Sequence, residues 1–263
     1  ELGWNDKYKD FNYFIKGNMS YARNKIIENG EALQKYPWMS QKGQSIGQHY
    51  GLVALGLFKS QEEIDSAPKH IGTVQIGDIR YKDMNEDGVI DEYDECPIGY
   101  SNIPRIQFGL TAGFSYKGFD FSMLWQGAAQ FSVYFSNGAV WEFRDGGNAF
   151  EHHLGRFNPE DPSTWDKATY PRLHDGNFPN NHRKSTYWLK KGDYLRLKNV
   201  EIGYSLPKHL FSKIGVSKLR FFVSGTNLLT FDHQNTFDPE TENERAYNYP
   251  QMSQYTFGVN IQF

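Results

Sequence analysis

Tyr255-Thr256-Phe257-Gly258-Val259-Asn260-Ile261-Gln262-Phe263 is the stretch whose reading decides the fold. Its odd positions are apolar and its even positions are small or polar, so a strand of period two places every apolar group on one face. One face is oily and the other is wet. In a soluble sandwich the oily face would meet a second sheet. A chain that stops on an aromatic residue straight after the strand fits a barrel-closing strand in an outer membrane better, and the rest of the chain should then repeat the pattern.

It does. Between Asp10 and Asn24, Phe11, Tyr13, Ile15, Met19 and Tyr21 share a face against Asn12, Lys16, Asn18 and Ser20, with Phe14 on the polar side. Ile106, Phe108, Leu110, Ala112, Phe114 and Tyr116 alternate with Arg105, Gln107, Gly109, Thr111, Gly113 and Ser115. After a tight turn at Lys117-Gly118, Phe119, Phe121, Met123 and Trp125 return against Asp120, Ser122 and Gln126. Arms of about ten residues joined by a short turn match a transmembrane β-hairpin. A strand is expected over Tyr187 to Leu206 and another from Leu219 to about Asn227. Pro207 to Val216 reads as a connector with some helical character. Residues 44–60 are punctuated by glycine and alternate poorly, so the sequence leaves them as either a crossing strand or packed loop. Residues 61–68 suit a helical turn. Residues 131–184 and 230–251 are polar loops, the first too long for an ordinary connection. Six or seven strands are fewer than the roughly eight of the smallest barrel, so the chain is expected to pair with strands it does not itself contain.

A chain of 263 residues suffices for one large all-β domain or two smaller ones. Aromatics make up 16% of it, yet its mean hydropathy is -0.68, a combination that alternating strands with aromatic girdles require and that a soluble glycan-binding β protein can share. No apolar run reaches the 18 residues of a helical span. A net charge of -3 without clustered Lys and Arg leaves no footprint for nucleic acid. The lone Cys96 rules out an internal disulfide. The start at Glu1-Leu2-Gly3-Trp4, without Met or an apolar leader, reads as a cut inside a longer polypeptide.

The segment from Asp83 to Asp94 follows the D-x-[DN]-x-[DN]-G spacing with an acid at its twelfth position. Side chains of Asp83, Asn85, Asp87 and Asp94, the carbonyl of Val89, and Asp91 directly or through water would supply the six or more oxygens that Ca²⁺ takes, with Gly88 at the sharp turn and Ile90 as an apolar anchor. Asp replaces the usual Glu at the twelfth position, and flanking helices are not expected. The competing reading is an Asp-Gly turn in an acidic surface loop. His152 and His153 are neighbours without a ligand-spaced third group, and read as a solvated pair rather than a zinc or catalytic site. Trp141, Trp165, Tyr170 and Trp188 suit stacking on sugar rings, although loop cores and interfacial girdles use the same residues more often. No Ser-His-Asp ordering and no glycine-rich phosphate cradle stand out, so no enzyme is expected.

Several stretches together resemble the C-terminal part of SusC/RagA-type TonB-dependent outer-membrane transporters. They are Asn24-Lys25-Ile26, Tyr36-Pro37-Trp38, Gly47-Gln48, Tyr50-Gly51, Gly56-Leu57-Phe58 and Gly77-Asp78-Ile79-Arg80-Tyr81-Lys82-Asp83, then Tyr116-Lys117-Gly118-Phe119-Asp120, Gln126-Gly127, Tyr194 to Val200, Gly203 to Pro207 and Phe263. Their order and spacing carry the resemblance across nearly the whole chain. It implies an all-β fold, the last quarter to third of a 22-stranded antiparallel transmembrane barrel with long extracellular loops. Residues 61–104 would form one such loop around the acidic segment 83–94, and the plug would lie outside residues 1–263. It also implies import of oligosaccharides or, less favoured, peptides across the outer membrane of a Gram-negative bacterium. Energy would come through TonB, contacted by the missing N-terminal part, and a SusD-like surface lipoprotein would lid the barrel. Tyr255, Phe257, Val259, Ile261 and Phe263 resemble the family's assembly signal. The runner-up is a secreted, calcium-stabilised β-sandwich that binds glycans, whose solvated strand faces would carry more Lys and Glu than these do.

Overall fold

The computed structural model describes residues 1–136, 138, 140–211, 215–234, 237–240 and 249–263, with the side chain of residue 145 left aside. Parts of the expected connector at 207–216 and of the loops at 131–184 and 230–251 therefore lie outside the described residues. In chain order the strands are β1 (Leu2–Tyr8), β2 (Phe11–Tyr21), β3 (Gln48–Gly51), β4 (Ala54–Leu57), β5 (Ile79–Tyr81), β6 (Cys96–Ser101), β7 (Ile106–Tyr116), β8 (Phe119–Ala129), β9 (Ser132–Tyr134), β10 (Leu189–Lys191), β11 (Tyr194–Ser205), β12 (Lys218–Asp232) and β13 (Gln254–Gln262). The helix α1 (Gln61–Ser66) is capped by the Ser60 side chain, which accepts from the Glu63 N–H.

Seven of these strands form one sheet in the order β1-β2-β7-β8-β11-β12-β13, antiparallel at every pairing. Register carries the alternation from strand to strand. Ile15 opposes Trp4 and Ala112, Ala112 opposes Met123, and Met123 opposes Val200. Nearer the short turns the row runs Phe11, Tyr116, Phe119, Tyr204, Phe221, Val259. A one-residue slip would exchange the two faces, so the pattern itself fixes the pairing. Two-residue turns join β1 to β2 and β7 to β8 at one end, where the longer connector 206–217 leads from β11 to β12, and the long segments leave from the other. At the β7–β8 turn Lys117 and Gly118 both have positive φ, as a two-residue hairpin turn needs. A Cβ on Gly118 would stand 2.6 Å from the Ser205 carbonyl oxygen, so the position also needs the missing side chain.

The apolar face is bare. Ile15, Phe119, Ile202, Phe221, Tyr255, Phe257, Val259 and Ile261 are all exposed, Phe257 by 78%. In a sandwich each would be covered, at a gain of about 1.5–3 kcal/mol per side chain. Among the described residues no second sheet covers them, so the sheet is not one layer of a sandwich there, and a bare apolar face is what a lipid-facing wall presents. β1 and β13 are the edges of the described sheet, which is open rather than closed into a barrel.

The structure decides one reading that the sequence left open and corrects two others. Residues 44–60 do not join the large sheet: β3 pairs with β6, and β4 pairs with β5, in the loops. The strand expected over Tyr187 to Leu206 is two, since β10 pairs with β9 outside the sheet and only β11 belongs to it. The seventh strand of the sheet is β1, which the sequence reading did not identify; Asn5 and Asp6 dilute its alternation.

The compact hydrophobic core lies in the long segments. Leu52, Ile79, Tyr81 and Ile90 from residues 22–105 pack with Tyr134, Phe135, Val140, Trp141, Tyr170 and Trp188 from residues 130–193. Backbone hydrogen bonds stitch the two together, from Leu52 N–H to Lys184 O (2.9 Å) and from Thr186 N–H to Leu52 O (3.0 Å). Gly51 permits that approach, because a Cβ there would fall 2.5 Å from the Lys184 oxygen. The result is a folded loop body standing on the end of the sheet opposite the short turns.

Candidate functional site: the loop body and the polar face beneath it

The polar face of the sheet carries Asn18, Gln107, Gln126 and Tyr194 near its loop end. Above them hang His49 and Asn102 from one long segment, Phe131 and Tyr134 from the other, and Glu240 from the β12–β13 loop. Together they line a cavity of about 970 Å³. Amides, hydroxyls and aromatic rings share this lining with apolar side chains and the Glu240 carboxylate. Such groups offer donors, acceptors and stacking surface together, which suits a polar chain of ligand units.

The loop body that roofs the cavity is held by buried polar groups that no sequence spacing exposes. Glu142 is wholly buried and accepts from Tyr170 Oη (2.5 Å), His174 N (2.8 Å) and His182 Nε2 (3.1 Å). Phe178 N–H donates to His182 Nδ1 (3.1 Å), which fixes the tautomer so that Nε2 carries the proton toward Glu142. Burial pushes the Glu142 carboxyl up, but the hydrogen bonds from His182 and Tyr170 outweigh it and hold the group below its ordinary value. Asp78, also fully buried, accepts from Gln75 N (2.8 Å), Asn181 Nδ2 (3.0 Å) and His174 Nε2 (2.7 Å). His174 thus joins the two carboxylates. The contact between Asp78 and His174 spans 96 positions of sequence, so no local pattern announces it. The run Asn180-Asn181-His182, polar and flanked by turns, was the one available hint.

Each residue singled out from the sequence has a definite place. Trp141, Tyr170 and Trp188 lie in the loop core, where Trp141 stacks on His182 (4.6 Å between centroids) and Tyr170 meets Trp188 edge-on (5.3 Å). Trp165 stands apart, half-buried against Phe157 (5.1 Å). His152 and His153 are not a solvated pair. A 3₁₀ turn over Glu151–Gly155 sets them on one side, and both Nε2 atoms lie 3.0 Å from the Val140 carbonyl oxygen. Phe150 N–H donates to His153 Nδ1 (2.7 Å), which keeps that ring neutral, and burial lowers its pKa. Tyr255, Phe257, Val259 and Ile261 stand exposed along the outer edge strand, and Phe263 follows it.

The acidic segment is ordered by its own carboxylates. Asp83 accepts from Glu86 N (2.7 Å) and Gly88 N (2.8 Å), Asn85 from Asp87 N (3.1 Å), and Asp87 from Val89 N (3.0 Å). Asp94 is fully buried, and its two oxygens accept from Met84 N (2.7 Å) and Asp91 N (2.9 Å). Ile90 is buried in the loop core, as its apolar anchoring role required. The donor chemistry fits a hard cation. As placed, however, no group of three or more His, Cys, Asp or Glu among the described residues is gathered to hold one.

A two-faced antiparallel sheet with short turns at one end, a folded loop body at the other and a bare apolar face defines a section of a membrane β-barrel wall. No family model matches the chain. Among curated proteins it is 29% identical over 98% of its length to TonB-dependent receptor P26 of Formosa agariphila, and 25% identical over 97% to TonB-dependent receptor P3 of the same organism. The chain spans 28% and 27% of the length of these relatives. Among solved structures, that of the RagAB peptide transporter superposes with a TM-score of 0.71 at 24% identity, covering 98% of this chain and 28% of that one. The open-open state of the RagAB peptide importer gives 0.69 at 22% identity over 99% of this chain. The chain is therefore similar in sequence to about a quarter of the length of TonB-dependent receptors and shares the fold of the matching portion of the RagAB structures.

Proposed function

We propose that the chain forms part of the wall and the extracellular loop body of a TonB-dependent importer in the outer membrane of a Gram-negative bacterium. The observation that carries this reading is the bare apolar face of seven paired strands, in a chain whose relatives are named TonB-dependent receptors. Strands beyond this chain would pair with β1 and β13 to close a 22-stranded barrel, since hydrocarbon does not tolerate unpaired edges. A SusD-like lipoprotein would cover the loop body, and TonB would supply the energy. These relatives are named as receptors and transporters, and no chemical step is assigned to the chain.

Oligosaccharides are the favoured cargo, because amides, hydroxyls and aromatic rings that can pair with and stack on sugar units are part of the lining of the cavity beneath the loop body. Peptides are the second reading, favoured by the solved RagAB structures, which are of a peptide importer. Uptake of labelled oligosaccharide and oligopeptide pools by cells with and without TonB decides. The account expects TonB-dependent loss of oligosaccharide uptake; uptake untouched by removal of either the receptor or TonB refutes import. For the acidic segment the proposal is a structural calcium held by Asp83, Asn85, Asp87, Asp91 and Asp94 with the Val89 carbonyl.

A further inference from the structure

β11 and β12 break register at one level of the wall. Leu197 opposes Trp125 and Leu229, whereas Asn199 opposes Leu124 and Thr226, so Lys198 is the extra residue of a β-bulge. Asn227, with φ of 54°, absorbs the matching irregularity on β12. A bulge re-aims a side chain that strict alternation would send elsewhere. Period two already sets Arg196 and Lys198 on the polar face, where both meet the Glu240 carboxylate, and the bulge re-aims the next residue, Asn199, to the same side. Two cations of successive inward positions thus stand together near the loop end of the wall, Arg196 opposite Gln126 of the cavity; neither cation lines that cavity, and the Glu240 carboxylate that meets both of them does.

Both cations are met by acids of the β12–β13 loop, and the two acids differ. Asp238 is nearly buried and holds Arg196 Nη2 at 2.9 Å; it also accepts the backbone N–H groups of Glu240 (2.9 Å) and Gln251 (3.1 Å). It is an anchor. Glu240 reaches Lys198 Nζ at 2.9 Å and Arg196 Nη1 at 3.1 Å, lines the cavity, and keeps more of its side chain in contact with solvent. Nη1 of Arg196 is buried, and its approach to Glu240 lacks hydrogen-bond geometry. The charge pair is satisfied in sign but loosely in direction. A planar guanidinium prefers a carboxylate that meets its N–H groups along their axes.

We propose that Arg196 and Lys198 form a carboxylate-binding subsite beside the cavity, that Glu240 fills it in the free receptor, and that a uronate carboxylate of an acidic oligosaccharide replaces Glu240 when cargo enters. The inference rests on the oligosaccharide reading above and sharpens it to acidic glycans. Exchange is feasible because Asp238 keeps Arg196 paired while Glu240 leaves, so no buried charge is stranded. The loop carboxylate also lowers the apparent affinity for every anionic ligand by the fraction of time it holds the subsite.

The test uses the full-length receptor in detergent, titrated calorimetrically with tetragalacturonate and with its fully methyl-esterified form. Glu240→Gln should tighten tetragalacturonate binding about five- to tenfold, the factor expected when Glu240 holds the subsite roughly 80–90% of the time, and leave the ester unchanged. Lys198→Met should weaken the acid at least tenfold and leave the ester unchanged. Equal response of acid and ester to Glu240→Gln, or no response of the acid to either variant, overturns the proposal. Failure of wild type and both variants to bind either probe also overturns it. TonB-dependent uptake of neutral oligosaccharide, measured in the same cells, is the separate readout on which the import reading stands or falls.

Discussion

Glu142 is the residue on which the loop body should depend most. It accepts three hydrogen bonds and can donate none, and each donor, Tyr170 Oη, the His174 N–H and His182 Nε2, is fixed by the surrounding core. Glu142→Ala orphans all three. A hydrogen bond to a charged group is worth about 1.5–3 kcal/mol, and a buried donor left unmade costs about 1–3 kcal/mol, so a loss of about 4–6 kcal/mol is expected. Glu142→Gln keeps the shape and at least one acceptor, but its NH₂ must face one of the three donors. That variant should lose about 2–3 kcal/mol, or roughly 30- to 150-fold in the opening equilibrium. The assay is hydrogen exchange of the full-length receptor, comparing peptides from residues 131–193 with peptides of β7, β8 and β11 as an internal control. Protection should fall in the loop body alone, in the order wild type, Gln, Ala. A loss under 1 kcal/mol for Glu142→Ala, or an equal loss in the sheet, would refute the claim that this carboxylate ties the segment down.

Acid should loosen the same body. Burial lowers the pKa of His153 and of His70, and each has a ring nitrogen that accepts a backbone N–H, from Phe150 and from Tyr81. A folded pKa below the unfolded one means that the unfolded chain takes up protons first. Stability is then full above the ordinary His pKa of about 6.5 and is lost as pH falls through the folded values. Exchange corrected for its intrinsic pH dependence should therefore quicken in residues 131–193 between pH 7 and 5; a flat profile opposes this. On the apolar face, Ile15→Arg should cost about 2–4 kcal/mol if it lies near the bilayer midplane, and should lower the folded receptor in outer-membrane fractions, whereas Lys16→Gln on the polar face should not. Gly118→Val, which needs positive φ and has no room for a Cβ, should reduce assembly; wild-type amounts of heat-modifiable barrel would count against the turn as described. Chelation should open the proposed calcium loop to protease near residues 78–100, and an unchanged cleavage pattern across a calcium titration removes that proposal.

The wall was legible because its physics is local. Phe119, Phe121 and Met123 alternate with Asp120 and Ser122, and that alternation states both the strand and the side each residue faces. β1 escaped notice because Asn5 and Asp6 weaken the same signal over only seven residues. Residues 44–60 stayed open for a different reason: short extended pieces rich in Gly, Leu and Val look alike whether they cross a membrane or pair inside a loop, and only their partners, β5 and β6, decide. The loop network lay beyond reading. Glu142, His174 and Asp78 are joined by contacts that span tens of residues of sequence. His152 and His153 show the limit plainly, since a helical turn rather than a strand sets where neighbours point.

The central claim is that the side chains at odd positions of β13 face lipid and those at even positions face an aqueous interior. Single nitroxide labels at residues 255–261 of the full-length receptor in bilayers measure this directly, through relaxation by oxygen, which concentrates in lipid, and by a nickel chelate, which stays in water. The account predicts strict alternation, with Tyr255, Phe257, Val259 and Ile261 positions relaxed by oxygen and Thr256, Gly258 and Asn260 positions by nickel. Labels at the Phe257, Val259 and Ile261 positions that are shielded from both agents would place the aromatic face inside a protein core and contradict it.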